Sequence, residues 1–146
     1  MERNAQNVQV HLKTQVVQDG EINNYHVDQA GEVVRLGDKL YIRYQEAPAE
    51  QENENVKVIV KIDSDNQISI KRKVGNNLTT NMVFNQLAEQ NFDYQTAFGA
   101  LKLVSRTKKL NVLVAKAPFS GQIDLDYSLH SGDNLIGDYK LQLIFS

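Results

Sequence analysis

Apolar and polar residues alternate along this chain in one short segment after another. Val56-Lys57-Val58-Ile59-Val60-Lys61-Ile62 and Ile123-Asp124-Leu125-Asp126-Tyr127-Ser128-Leu129 show the pattern. A period of two puts successive side chains on opposite faces, so each segment reads as a strand with one face buried and one face wet. Roughly ten such segments recur at spacings of about 8–14 residues, and a helical period is almost absent, which predicts an all-β sandwich or barrel.

The first predicted strand covers 8–17, with Val8, Val10, Leu12 and Val16 on one face. Asp19-Gly20 is a two-residue hairpin signal, because both residue types tolerate positive φ. That loop sets Leu12 opposite Val27, Val10 opposite Gln29 and Tyr25 opposite Thr14, and the apolar stripes then agree across the pair. The partner strand covers 22–36, with a bulge or bend expected at Ala30-Gly31. Gly37-Asp38 turns the chain into a strand over 40–44. The polar, acidic stretch 46–55, which contains Pro48, predicts an exposed loop.

Strands over 56–62, 68–74 and 78–84 all carry the apolar stripe on even positions. Antiparallel pairing with that parity matches Asp63 with Gln67, Ile68 with Phe84 and Val74 with Leu78. A turn or a single helical turn follows over 86–90. Phe92 and Tyr94 open another strand, and Phe98-Gly99 bends into one that continues through Leu101 and Leu103. Parity flips before Leu110, so a bulge is expected around Thr107-Lys108-Lys109. Pro118 and Gly121 are expected to end that strand. In the last hairpin Ile123, Leu125, Tyr127 and Leu129 face Tyr139, Leu141 and Leu143, and a three-residue loop or a bulge near 131–134 keeps their faces in phase. The last strand must close onto the first or leave two naked edges. The prediction is a single antiparallel meander barrel of about eight to ten strands, in one domain spanning 1–146.

The 146 residues suit one domain with a real core. A net charge of −2, from 16 basic and 18 acidic residues, exerts no global pull toward nucleic acid or an anionic membrane. Absence of cysteine excludes disulfides and thiolate metal sites and fits a reducing compartment. Residues 1–7 are polar, unlike a secretory leader. No apolar run approaches the roughly 18–20 residues that span a bilayer. These features point to a cytoplasmic protein that does not engage membranes.

No nucleophile elbow, P-loop, dinucleotide fingerprint or HExxH helix is present. His11 falls opposite Asp28 and diagonal to His26 on the polar face, the composition of a two-histidine, one-carboxylate metal site. An ordinary polar hairpin face explains the same residues, and no metal or cofactor is expected. His130 is expected to be solvated beside the last turn. Asp124 and Asp126 point outward, where they balance surface charge; carboxylate catalysis needs a pocket that splits the two pKa values. Lys71-Arg72-Lys73 and Arg106-Thr107-Lys108-Lys109 are basic clusters, but single-stranded nucleic acid needs outward aromatics beside them. Here the aromatics lie on the apolar stripe, so no nucleic-acid partner is expected.

Arg72 shares parity with Ile68, Ile70 and Val74 and so faces inward. An inward arginine near a barrel mouth can hold a ligand carboxylate or phosphate by a bidentate contact. Tyr25, Tyr44, Tyr94, Tyr127 and Tyr139 can add hydroxyls. The alternative is an arginine at a strand end, reaching water or paired with an acidic residue.

The stretch Arg72…Asn81-Met82-Val83-Phe84…Tyr94-Gln95-Thr96-Ala97-Phe98-Gly99-Ala100-Leu101-Lys102-Leu103…Thr107-Lys108-Lys109 resembles the YwiB-like family. Asp19-Gly20, Leu40-Tyr41-Ile42-Arg43-Tyr44, Tyr127 and Gly137-Asp138-Tyr139 suit it as well, so the resemblance covers nearly the whole chain. It implies a calycin-like (lipocalin-related) barrel in a bacterial cytoplasm. It implies no established activity and carries over no functional residues. With no tryptophan, the lipocalin Gly-x-Trp signature is missing, and no helical pair follows the first strand as in fatty-acid-binding barrels. Lipid transport would therefore be an analogy of fold alone.

The leading expectation is a non-enzymatic barrel that binds a small, partly apolar ligand at Arg72 and the tyrosines. The alternative is a protein-interaction module that uses its outer face or the acidic 46–55 loop; an enzyme ranks third. A sizeable cavity lined by Arg72 would favour the ligand, and a packed interior the outer surface.

Overall fold

The computed structural model describes residues 4–46, 56–64, 66–75, 78–96, 98–116 and 118–146. Its first five strands are β1 (Asn4–Gln18), β2 (Glu21–Leu36), β3 (Lys39–Glu46), β4 (Val56–Ser64) and β5 (Gln67–Val74). The next five are β6 (Leu78–Asn85), β7 (Gln90–Thr96), β8 (Gly99–Ala115), β9 (Ser120–Ser131) and β10 (Asn134–Phe145). They form one antiparallel sheet in the order β6-β5-β4-β3-β2-β1-β10-β9-β8-β7. Among the described residues no helix is long and apolar enough to cross a membrane.

The β1–β2 hairpin has the expected register, with Leu12 opposite Val27 and Thr14 opposite Tyr25. Asp19 and Gly20 take φ of 51° and 77°, the left-handed pair such a turn demands. Ala30-Gly31 carries no bulge, because the ladder runs unbroken from Asn4↔Arg35 to Gln18↔Glu21. Gly31 answers to crowding instead: a Cβ there would sit 2.5 Å from the Arg43 carbonyl oxygen and 2.9 Å from Val10 Cγ2. Ile68↔Phe84 and Val74↔Leu78 pair as expected. Gln67 pairs with Ser64 rather than Asp63, because the register shifts between Ile62 and Ser64. The expected bulge between Thr107 and Lys109 is present, and another between Leu135 and Gly137 keeps the last hairpin in phase. β8 ends at Ala115, and Gly121 lies inside β9.

The first and last strands join, from Val10↔Phe145 to Val17↔Asp138. Gln9 and Ser146 extend that junction with backbone hydrogen bonds of 2.8 and 3.2 Å. The barrel is nearly closed, but a seam remains where a meander leads one to expect a hairpin. β6 and β7 are consecutive and adjacent, yet they share no ladder. Side chains bridge the seam instead. The Ser105 hydroxyl on β8 donates to the Val83 carbonyl on β6 at 3.0 Å, and the rings of Phe84 and Tyr127 lie 4.4 Å apart.

The inward stripes meet in one continuous core. Val10, Ile42, Ile68, Phe84, Ile123, Leu125, Leu143 and Phe145 are its most deeply buried members. Burying each such side chain is worth about 1.5–3 kcal/mol. The core runs across the barrel, so side chains occupy its interior.

Candidate functional site: a tyrosine and arginine mouth over a filled barrel

Antiparallel alternation brings the ends of β3, β5, β7 and β9 to one mouth of the barrel, together with the starts of β4, β6, β8 and β10. Arg72 stands near the end of β5, opposite Val58 and Thr80. Tyr44 and Tyr94 stand near the ends of β3 and β7, and Tyr127 and Tyr139 face each other across β9 and β10. Tyr25 lies on the inward stripe of β2, in the part of the β1–β2 hairpin that projects past β3. All six residues singled out from sequence are thus gathered around one mouth.

Arg72 has a partner there: its Nη2 donates to Glu46 Oε2 at 2.9 Å. Burial works against the guanidinium charge. The hydrogen bond and charge of Glu46, with the Tyr94 and Tyr44 hydroxyls, outweigh it, and the arginine pKa is raised. Its side chain keeps 43% of its surface exposed, against 22% for Glu46. Burial, then the Glu46 charge, pushes the Tyr44 phenol up, with Arg72 opposing. Burial, then Tyr139, pushes the Tyr127 phenol up. Tyr139 is also raised, by burial first and then by Tyr94 and Tyr25. Tyr127 and Tyr139 stack, with centroids 4.9 Å apart and planes 5° from parallel. The rim therefore sets phenols around an arginine whose charge Glu46 balances. Tyr25 and Tyr94 reach furthest into solvent, at 60% and 41% exposure.

Below the rim lies packed core. Among the described residues, four surface concavities of about 410–660 Å³ are lined by residues other than Arg72, Tyr94, Tyr127 and Tyr139. Tyr25 and Tyr44 each border one of them. Near the opposite mouth a side chain is tied to the main chain. The Gln6 amide donates to the Phe119 carbonyl at 2.9 Å and accepts from the Phe119 N–H at 2.7 Å. Phe119 packs against the core.

The remaining candidates resolve individually. His11 Nδ1 contacts one oxygen of Asp28, and His26 Nε2 lies 3.0 Å from the other. The carboxylate is a bridge between two rings. Hydrogen bonding from His11 is the chief reason its pKa is lowered, with burial opposing and His26 adding. Among the described residues no group of three histidine and carboxylate side chains is placed to hold a metal ion. His130 is half-buried rather than solvated, with Nε2 2.9 Å from the Ser128 hydroxyl. Asp124 accepts from the amides of Gln122 and Gln142. Lys108 pairs with Asp138 at 2.6 Å and Arg106 with Glu89 at 3.2 Å. Of the acidic stretch 46–55, Glu46 closes β3 and the rest lies outside the described residues.

Three participants escaped sequence reasoning: Gln6, Ser105 and Glu46. Each is a polar residue in phase with an inward apolar neighbour, namely Val8, Leu103 and Tyr44. That phase was the available signal, since a polar side chain on a buried stripe must find a hydrogen-bond partner.

A family model described as a domain of unknown function, DUF1934, matches residues 10–143. The chain belongs to this family. The crystal structure of the ywiB protein from Bacillus subtilis is similar in fold, with a TM-score of 0.81. The match covers 97% of this chain and 92% of that one at 22% identity. The YwiB-like resemblance read from the residues and the DUF1934 match therefore agree, and the nearly closed barrel is the fold they share. None of the curated proteins matches the chain.

Proposed function

We propose that this DUF1934 member is a non-enzymatic interaction module that works through its outer surface, in a reducing bacterial cytoplasm. The observation that carries the reading is the filled barrel. Its interior is a continuous core from strand to strand, and Gln6 and Phe119 are hydrogen-bonded at one end of it. A calycin-like barrel of this strand number need not enclose a ligand, because its own side chains can fill it. The test is native mass spectrometry of the protein isolated gently from its host. A second polypeptide retained in fixed ratio supports the reading. A protein that runs alone counts against it.

A second reading has its own observation. Arg72, Tyr25, Tyr44, Tyr94, Tyr127 and Tyr139 share one mouth, and Arg72 is partly open to water. A small, partly apolar anion resting on that rim would exchange with Glu46 for the guanidinium. The same spectra separate the two readings. A small molecule retained by the native protein and lost in Arg72→Gln favours the rim.

A further inference from the structure

We propose that the unpaired lower half of β8, residues 110–115, takes an extended acidic peptide as an added strand. This rests on the reading of the chain as an interaction module and names its surface and its class of partner. β8 is the longest strand, at 17 residues. On one side β7 pairs with it only from Gly99 to Ser105. On the other side β9 pairs with it as far as Ala115. Among the described residues one flank of β8 beyond Ser105 therefore has no ladder partner, and alternate N–H and C=O groups point outward from it.

The two halves of this free flank are guarded differently. The upper half has the bulge between Thr107 and Lys109 and the charges of Arg106, Lys108 and Lys109. Bulges and edge charges are the usual devices that stop another strand from adding. The lower half, Leu110-Asn111-Val112-Leu113-Val114-Ala115, is straight in register and has no charged residue. Leu113 is 68% exposed there, and Val114 is exposed too. Six residues span about 20 Å, enough for a short peptide strand.

Beside this half lies a concavity of about 480 Å³. Ile62, Val112 and Phe119 make it apolar, and Arg35, Lys39 and Lys116 surround it with positive charge. Among the described residues Asp38 is the one carboxylate in its lining. Lys39 is held by Asp63, and Arg35 donates to the Gly37 carbonyl. Among the described residues neither Arg35 nor Lys116 is paired with a carboxylate. An added strand would take its affinity from main-chain hydrogen bonds, and alternate side chains would select the sequence. Apolar side chains fit the concavity and carboxylates complement its cations.

The test uses the full chain and a fluorescent probe peptide of alternating glutamate and valine, Glu-Val-Glu-Val-Glu-Val-Glu. Saturable anisotropy that weakens with salt is expected, with amide shift changes confined to residues 110–115 and the concavity. Leu113→Glu and the double variant Arg35→Glu/Lys116→Glu should each weaken binding at least about tenfold. Both alter exposed or half-exposed side chains, and unchanged thermal unfolding verifies that they fold. No saturable binding, equal binding by both variants, or equal binding of a lysine–valine counterpart overturns the proposal. A native complex that survives Leu113→Glu removes the β8 edge and leaves the interaction reading standing. Absence of any native polypeptide partner removes the reading itself.

Discussion

Where β1 meets β10, backbone pairing runs in unbroken register from Val10↔Phe145 to Val17↔Asp138; where β6 meets β7, strands consecutive in sequence touch without a ladder. The distant pair is held by backbone hydrogen bonds, each worth about 0.5–1.5 kcal/mol net. The near pair relies on the Ser105 hydroxyl and the Phe84–Tyr127 contact. Closeness along the chain therefore does not decide which strands pair. Pairing follows where inward stripes can be matched while edge groups still find partners. The seam is the part of the wall most ready to open, because side-chain contacts substitute there for a ladder.

The largest expected effect tests that contrast. Phe84→Ala removes a fully buried ring at the seam and should cost about 3–5 kcal/mol by urea unfolding. Leu143→Ala at the paired junction should cost about 2–5 kcal/mol. Hydrogen exchange distinguishes them: Phe84→Ala should accelerate the amides of β6 and β7 well before those of β1 and β10. Equal acceleration at both places would erase the difference between the junctions.

Next in size is an alkaline effect at the mouth. Tyr44 and Tyr127 have pKa values raised above the ordinary 10.0. The folded protein keeps protons there that the unfolded chain releases. The stabilising contribution is whole below pH 10 and is lost as pH rises toward the folded pKa. Each group should contribute a slope of up to about 1.4 kcal/mol per pH unit. Tyr127→Phe retains both ring contacts and should remove its share of that slope, as read from urea midpoints at about pH 9 and about pH 11.

Ser105→Ala should cost about 1 kcal/mol, since the Val83 carbonyl loses its donor. Its signature is faster exchange along β6 with β1–β10 protection unchanged. The smallest effect belongs to the exposed His11–Asp28–His26 group, far from the seam. The lowered pKa of Asp28 means its contribution is present above the ordinary 3.8 and is lost as pH falls through the folded value. Asp28→Asn should flatten the acid limb of the stability curve slightly and leave the seam's exchange rates alone. The difference should shrink with added salt.

Legibility from sequence tracked the distance over which a feature is decided. Asp19-Gly20 set the register of the first hairpin, and the even-numbered stripe set that of β4, β5 and β6, because turn length and parity are local quantities. The parity flip before Leu110 announced the bulge. Gly31 was misread because its role lies across the sheet, against Arg43 and Val10. The bulge near Asp63 left the stripe unbroken and so gave no warning. Parity aimed Arg72 inward, but its partner lay on another strand, at Glu46, a residue read as loop.

The order of residues by itself determined which segments are strands, which face of each is apolar and how neighbouring hairpins align. A two-residue period and a two-residue turn act on side chains already close together. The folded barrel alone decided where the wall stays unpaired, what fills its interior and which polar groups meet. Those outcomes depend on contacts such as Gln6 with Phe119, 113 positions apart. They form only when the whole sheet has curled and every inward side chain competes for the same space.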